Sequence, residues 1–183
     1  MRSVEALARE ALLNRFAWQG GHADVWRVFD DGPAFAAVVD ALAEPWVESR
    51  VTKVCGVEAR GFILGSAVAF RLGAGFVAIR KAGALFPGPK DTQETAPDYR
   101  GMVQQLEIQQ RALEPNDRVL LVDDWAEKGS QAIAAKRLIE HRQATFLGLA
   151  VMIDQLSDAQ RNLLGQVRSI VRADELPDDG LRS

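Results

Sequence analysis

The stretch VLLVDDWAEKGSQ, Val119 to Gln131, decides how the chain is read. Four apolar residues run without interruption into two adjacent carboxylates, Asp123 and Asp124, and a polar turn with one glycine follows. A short continuous apolar run is the pattern of a strand buried on both faces. Beyond the turn, Ala132, Ile133, Ala135, Leu138 and Ile139 recur at helical spacing, which predicts a helix over 130–141. The turn itself has the chemistry of an anion site. Amide groups at a helix start point outward unpaired, and the helix dipole favours negative charge there. Gly129 permits close backbone approach, Ser130 offers a hydroxyl and Lys128 a full positive charge, between Glu127 and Gln131. Two carboxylates ahead of such a site suit a ligand with vicinal hydroxyls and a phosphate, or hold Mg²⁺ through water. A strand end with solvated acids and a capped helix would give the same pattern without function.

The flanking sequence repeats the theme. VTKVCGV (51–57) is a short apolar run, Glu58-Ala59-Arg60-Gly61 a turn, FILGSAVAFRLG a helix ending at Gly73, and GFVAIR (75–80) a second strand. Residues 82–103, rich in Gly, Pro, Asp and Thr, read as one long loop, and loops of that length are more often functional than decorative. QLEIQ (105–109) reads as a strand and EPND (114–117) as a turn. After the 130–141 helix come a strand in ATFLGLAVMID, a short helix capped by Ser157, and a last strand in VRSIVRA. Toward the N-terminus, Val4, Leu7, Ala8, Ala11 and Leu12 predict a helix, AWQGGHAD breaks it, and VWRVF (25–29) reads as a short strand. Asp31-Gly-Pro then opens a helix with Phe35, Val38, Val39 and Leu42 on one face. This alternation predicts an α/β fold, a mostly parallel twisted sheet flanked by helices. Ligands of such sheets collect at the carboxyl ends of strands, so EARG, RKAG and DDWAEKGSQ should gather on one rim.

Composition narrows the function classes. The 183 residues suit one domain, 48% are apolar and 26% charged, and 22 basic against 25 acidic side chains give a net charge of −3. That balance lacks the clustered basic surface of a nucleic-acid binder, and no stretch is apolar for long enough to span a membrane. Cys55, the single cysteine, lies in an apolar run and reads as a buried bystander; His22 and His141 make no zinc site by themselves. MRSVEALAREALL lacks the apolar core of a signal peptide, so the expectation is a cytoplasmic protein. DELPDDGLRS at the C-terminus has the character of a loose tail.

The motifs together resemble those of the type I phosphoribosyltransferases, in their adenine-type branch. The acid pair and the loop after it are similar to the family's phosphoribosyl pyrophosphate (PRPP) motif, whose loop usually reads Ala-Thr-Gly-Gly-Thr. Glu58-Ala59-Arg60-Gly61 resembles the pyrophosphate loop of that branch, which often contains a cis peptide. Arg80-Lys81 matches its Arg-Lys pair, and QLEIQQRALEPND its approach to the PRPP strand. The resemblance runs in order from about residue 53 to 155.

That resemblance implies the type I phosphoribosyltransferase fold, with an N-terminal helix and hood over 1–50, a core over 51–175 with a lid at 82–103, and a tail over 176–183. It implies transfer of a 5-phosphoribosyl group from PRPP to a purine-type base, adenine by default, with release of pyrophosphate and with Mg²⁺ as cofactor. Asp123 and Asp124 would hold the ribose and the metal, and Glu127, Lys128, Gly129, Ser130 and Gln131 the 5′-phosphate. Glu58, Ala59, Arg60, Gly61 and Lys81 would hold pyrophosphate. Arg60, Lys81, Asp124, and Asp98 and Tyr99 of the lid would serve catalysis. Phe29 and Trp125 would meet the base, and the protein would be a homodimer. The sequence also departs from the family. Its phosphate loop lacks both threonines and the second glycine, its lid has Asp98-Tyr99-Arg100-Gly101 where the family has Glu-Tyr-Gly, and its hood lacks the usual prolines. Trp18 and Trp26 could stack on a base or serve a core or dimer contact. The altered loops leave open a second reading, a non-catalytic PRPP- or nucleotide-binding regulator with the same fold.

Overall fold

A computed structural model describes residues 2–83, 85–97 and 102–178. Helix α1 (Val4–Arg15) begins where the Ser3 side chain accepts a hydrogen bond from the Ala6 amide, and it buries Ala8 and Leu12. A two-stranded hairpin follows, β1 (Ala17–Gln19) and β2 (His22–Asp24). Its turn is Gly20-Gly21, both at positive φ (57° and 78°), the backbone a tight hairpin demands and glycine adopts without a Cβ clash.

VWRVF is not the strand expected from its apolar run. It forms a short helix, α2 (Trp26–Phe29), because the Asp24 carboxylate accepts the Trp26 amide at 3.0 Å and also holds Arg27. Only Val25 and Val28, three residues apart, are buried, which is helical rather than alternating spacing. Helix α3 (Gly32–Ala43) starts as expected at Asp31, whose side chain accepts the Ala34 amide, with Pro33 in the first turn.

The core is a seven-stranded sheet. Its strands are β3 (Lys53–Val57), β4 (Gly75–Lys81), β5 (Lys90–Glu94), β6 (Gln105–Gln109), β7 (Arg118–Ala126), β8 (Thr145–Asp154) and β9 (Val167–Arg172), in spatial order β5-β6-β4-β3-β7-β8-β9. From β4 to β9 all neighbours are parallel, while β6 runs antiparallel to both β4 and β5. Helices α4 (Arg60–Leu72), α5 (Ser130–His141) and α6 (Asp158–Leu164) complete the two layers. Alternate residues of β7 serve opposite faces. Leu120 and Val122 join α1, α3 and α4 in one apolar cluster, and Val119 and Leu121 join α5 and α6 in the other. This double burial is why β7 reads as an unbroken apolar run.

Strand β5 corrects the expectation of one structureless loop over 82–103. Lys90–Glu94 pairs with β6 in five-residue register, and Lys90 reaches Glu107 at 3.0 Å across the ladder. KDTQE is an edge strand with no apolar residue, so nothing in its periodicity announced it. At the C-terminal end of the described chain, Leu176 packs against the first cluster and the Pro177 carbonyl accepts the Trp18 indole at 2.7 Å.

Candidate active site

The carboxyl ends of β3, β4 and β7 lie side by side, and the turns that follow them form one rim. After β3, the Glu58–Ala59 peptide is cis and α4 begins at once with Arg60. Strand and helix pack backbone on backbone here. A Cβ on Gly56 would stand 2.1 Å from the Gly61 carbonyl oxygen, and one on Gly61 would stand 3.0 Å from Asp123 Oδ1. The two glycines thereby bring the start of α4 up to the acid pair at the end of β7.

Arg60 closes that gap. Its Nε lies 2.6 Å from Asp124 Oδ2, and Asp124 is only 5% exposed. The contact is an ion pair without hydrogen-bond alignment, and this buried oxygen has no hydrogen-bond donor among the described residues. Asp123 points its Oδ1 back to the Asp124 amide at 3.0 Å. Burial, and next the adjacent Asp124 charge, push the Asp123 carboxyl well above the ordinary carboxylate range. With the folded value above the unfolded one, near 3.9, the folded state holds its proton longer, and stability falls as pH rises from about 4 toward the folded value. Asp123→Asn is therefore expected to raise the melting temperature of the metal-free protein at neutral pH. That gain should vanish near pH 4. A thermal melt series across pH checks it; a gain that does not vary with pH would mean titration is not the cause.

Glu58 and Lys81 frame the other side. Arg80 donates to Glu58 Oε2 at 2.7 Å and to the Leu85 carbonyl at 2.8 Å, so Glu58 braces the turn through Arg80. Lys81 ends β4 half-buried, opposite Leu106.

The turn expected to receive a phosphate leads directly into α5. Gly129 stands at φ 66° immediately ahead of α5, with no side-chain cap on the helix, so the first amides of Ser130 and Gln131 have no side-chain acceptor from the cap. Residues outside the loop hold it. Gln160 donates to the Lys128 carbonyl at 2.9 Å, and Gln131 donates to Gln104, immediately ahead of β6, at 2.9 Å. Gln160 is itself fixed by the Ser157 capping box of α6. Ahead of α6, the fully buried Asp154 pairs with Arg161 and Arg172 and accepts the Leu156 amide. The sequence reading missed Gln104 and Gln160. Only Gln160 left a signal, its place three residues after Ser157.

Trp125 turns toward the hood. Its ring lies 6.4 Å from Phe16 and from Trp18, and its indole donates to Gln155 at 3.1 Å. Trp18 also meets Phe16 edge-on at 5.2 Å, so its role includes packing. Phe29 sits in α2 with Trp26 and Phe35 as ring partners, and the hood rings beside Trp125 are Phe16 and Trp18. Asp98 and Tyr99, expected in the lid, lie outside the described residues. Cys55 is buried as expected, and burial pushes its thiol upward, away from thiolate chemistry.

The rim can thus offer a guanidinium, an ammonium, two adjacent carboxylates and a row of helix-start amides to one ligand. Among the described residues no three His, Cys, Asp or Glu side chains converge as a metal cage, and no helix is long and apolar enough to cross a membrane.

Comparison with known proteins identifies the family. The family model described as the phosphoribosyl transferase domain matches residues 25–171. An adenine phosphoribosyltransferase of Dinoroseobacter shibae is 43% identical over 150 residues, 82% of each chain. Among solved structures, the adenine phosphoribosyltransferase of Rhodothermus marinus superposes with a TM-score of 0.82 at 32% identity, covering 91% of this chain and 99% of that one. That of Saccharomyces cerevisiae, complexed with adenine and an imino-altritol bisphosphate, gives a TM-score of 0.78 at 28% identity, covering 90% of this chain and 99% of that one. On the family match and this identity, the chain belongs to the phosphoribosyl transferase domain family, in its adenine phosphoribosyltransferase-like branch.

Proposed function

We propose that the chain transfers the 5-phosphoribosyl group of PRPP to adenine, forming AMP and releasing pyrophosphate. The observation that carries the reading is the Arg60–Asp124 pair, which joins the turn suited to pyrophosphate to the acids suited to ribose. In this reaction a base nitrogen displaces pyrophosphate at C1 of the sugar, through a transition state with oxocarbenium character. Asp123 and Asp124 accept hydrogen bonds from the ribose hydroxyls and fix the sugar. The amides and side chains of Glu127–Gln131 receive the 5′-phosphate, Lys128 and Ser130 standing in for the family's hydroxyls. Arg60 and Lys81 take up the charge that gathers on departing pyrophosphate. Trp125 closes the base pocket against the hood, and the part of the 82–103 segment after β5, with Asp98 and Tyr99, closes over the centre and keeps out water.

The donor set fits Mg²⁺ carried in with the substrate. Two adjacent carboxylates, one with a buried oxygen that no donor satisfies, would hold it through water. Bound there, Mg²⁺ supplies charge neutralisation of the pyrophosphate. The same reading makes the chain a cytoplasmic homodimer, with twice its 20.0 kDa mass in sedimentation. Catalysis, rather than PRPP sensing, is supported by the enzyme names its relatives carry.

Incubation with PRPP, Mg²⁺ and adenine, hypoxanthine or guanine tests the reading. AMP and pyrophosphate are expected in equal amounts with adenine, and at much lower rates with the other bases. PRPP binding without turnover of any base would instead make the protein a sensor.

A further inference from the structure

The molecule has a second place suited to an anion, at the opposite end of the sheet from the rim. A pocket of about 350 Å³ is walled by Pro87, Pro89, Gln109, Gln110, Arg111 and Arg142 around Gly88. Gln109 ends β6 where that strand points away from the acid pair. Arg142 caps α5 at the end remote from Gly129, about 18 Å along the helix axis. This volume falls in the range of small-molecule sites.

We propose that this pocket binds a small organic anion, bearing a phosphate or carboxylate group on a compact apolar body. The lining carries two guanidinium groups and no carboxylate, on a chain whose net charge is −3. Arg142 is poorly satisfied by the protein. Its ion contact with Asp91 is long, 3.4 Å, and its Nε is buried without a hydrogen-bond partner. Asp91 is shared with the Gln110 amide, which donates to it at 2.8 Å. Arg111 is exposed and makes no ion pair with a described residue. With Arg142 Nε buried, the terminal nitrogens of Arg142 and Arg111 are what a ligand meets, and a planar guanidinium edge is shaped for a two-oxygen acceptor. The C-terminal dipole of α5 opposes an anion with about half a unit of negative charge. Two full cations, even with the Asp91 carboxylate set against one of them, outweigh it, and the Arg142 and Ala144 amides already occupy the last carbonyls. Pro87 and Pro89 supply the apolar wall, held by the Gln109 side chain on the Pro87 carbonyl and the Gln110 amide on the Pro89 carbonyl. The site stands on these residues alone and does not depend on the catalytic reading.

Titration of the uniformly ¹⁵N-labelled full chain with inorganic phosphate, and separately with malonate, tests it by amide chemical shifts. Saturable shifts are expected at Gly88, Gln110, Arg111 and Arg142. Saturation by phosphate alone assigns a phosphate ligand, by malonate alone a carboxylate ligand, and by both a site for either. Affinity should fall about tenfold or more in Arg142→Gln and in the surface variant Arg111→Gln, and recover in part in Arg142→Lys. Phosphate shifts at Ser130 and Gln131 should persist in all three variants, which separates the two sites. Shifts around Gly88 that never saturate with either probe, or that saturate unchanged in both glutamine variants, would overturn the proposal.

Discussion

Arg60→Ala is expected to lower kcat/KM for PRPP by about two to three orders of magnitude, the scale seen when a preorganised donor to developing negative charge is removed. Two effects contribute. On the proposed reading the guanidinium meets the departing pyrophosphate, and it also holds Asp124, which is 5% exposed and has no other cation within ion-pair reach among the described residues. Asp124→Asn should cost a similar factor by losing a charged acceptor for the ribose. The double variant separates the two roles. If Arg60 serves only to position Asp124, Arg60→Ala on the Asp124→Asn background costs nothing further; if it also meets pyrophosphate, much of the loss remains. Arg60→Lys should fall in between, since an ammonium keeps charge but not the fork that spans both partners. Circular dichroism and thermal melts on each variant separate loss of chemistry from loss of fold. Rates equal to wild type in Arg60→Ala and Asp124→Asn would place the reaction elsewhere on the chain.

The acids and Arg60 were legible in sequence because each directly follows a doubly buried strand, and a parallel sheet puts such positions on one rim. That they touch was not legible. The 2.6 Å contact depends on β3 lying beside β7 in the register Gly56↔Val122, and on glycines that let α4 sit against the sheet. Capped helices were readable from Asp31 and Ser157, since a cap is a local event. VWRVF was misread because an apolar pentapeptide fits either period, and the deciding hydrogen bond comes from Asp24 outside it. Strand β5 was invisible because an edge strand needs no apolar face. The same holds for the supports of the turn ahead of α5. Gln104 and Gln160 lie 27 and 32 residues from their partners, and a lone glutamine carries no pattern that announces a contact at that distance. Trp125 was placed near the base by its position after the acids; its contact with Phe16 and Trp18 depends on how the hood folds over the strand ends.

Gly56→Ala is expected to produce the largest loss of stability of any single methyl addition to the site. The new Cβ would fall 2.1 Å from the Gly61 carbonyl oxygen and 2.6 Å from its carbon, and both are backbone atoms of the first turn of α4. No side chain can rotate aside, so helix and strand must separate. Overpacking of this kind costs about 1–3 kcal/mol and occasionally more, and contact of backbone on backbone puts it at the upper end. At about 2–4 °C per kcal/mol for a chain of this size, the melting temperature should drop by roughly 6–12 °C. Activity should fall as well, because the displaced turn carries Arg60 away from Asp124. Gly65→Ala provides the contrast. Its Cβ would meet the Phe76 ring at 2.8 Å, one turn further along α4, where a side chain can yield and Arg60 need not move. It should lose less stability and keep most of its kcat/KM. A Gly56→Ala protein that melts with wild type would mean α4 does not rest on β3 at this point. One that is destabilised yet fully active would mean that the close seating of Arg60 on the acid pair does not set the rate.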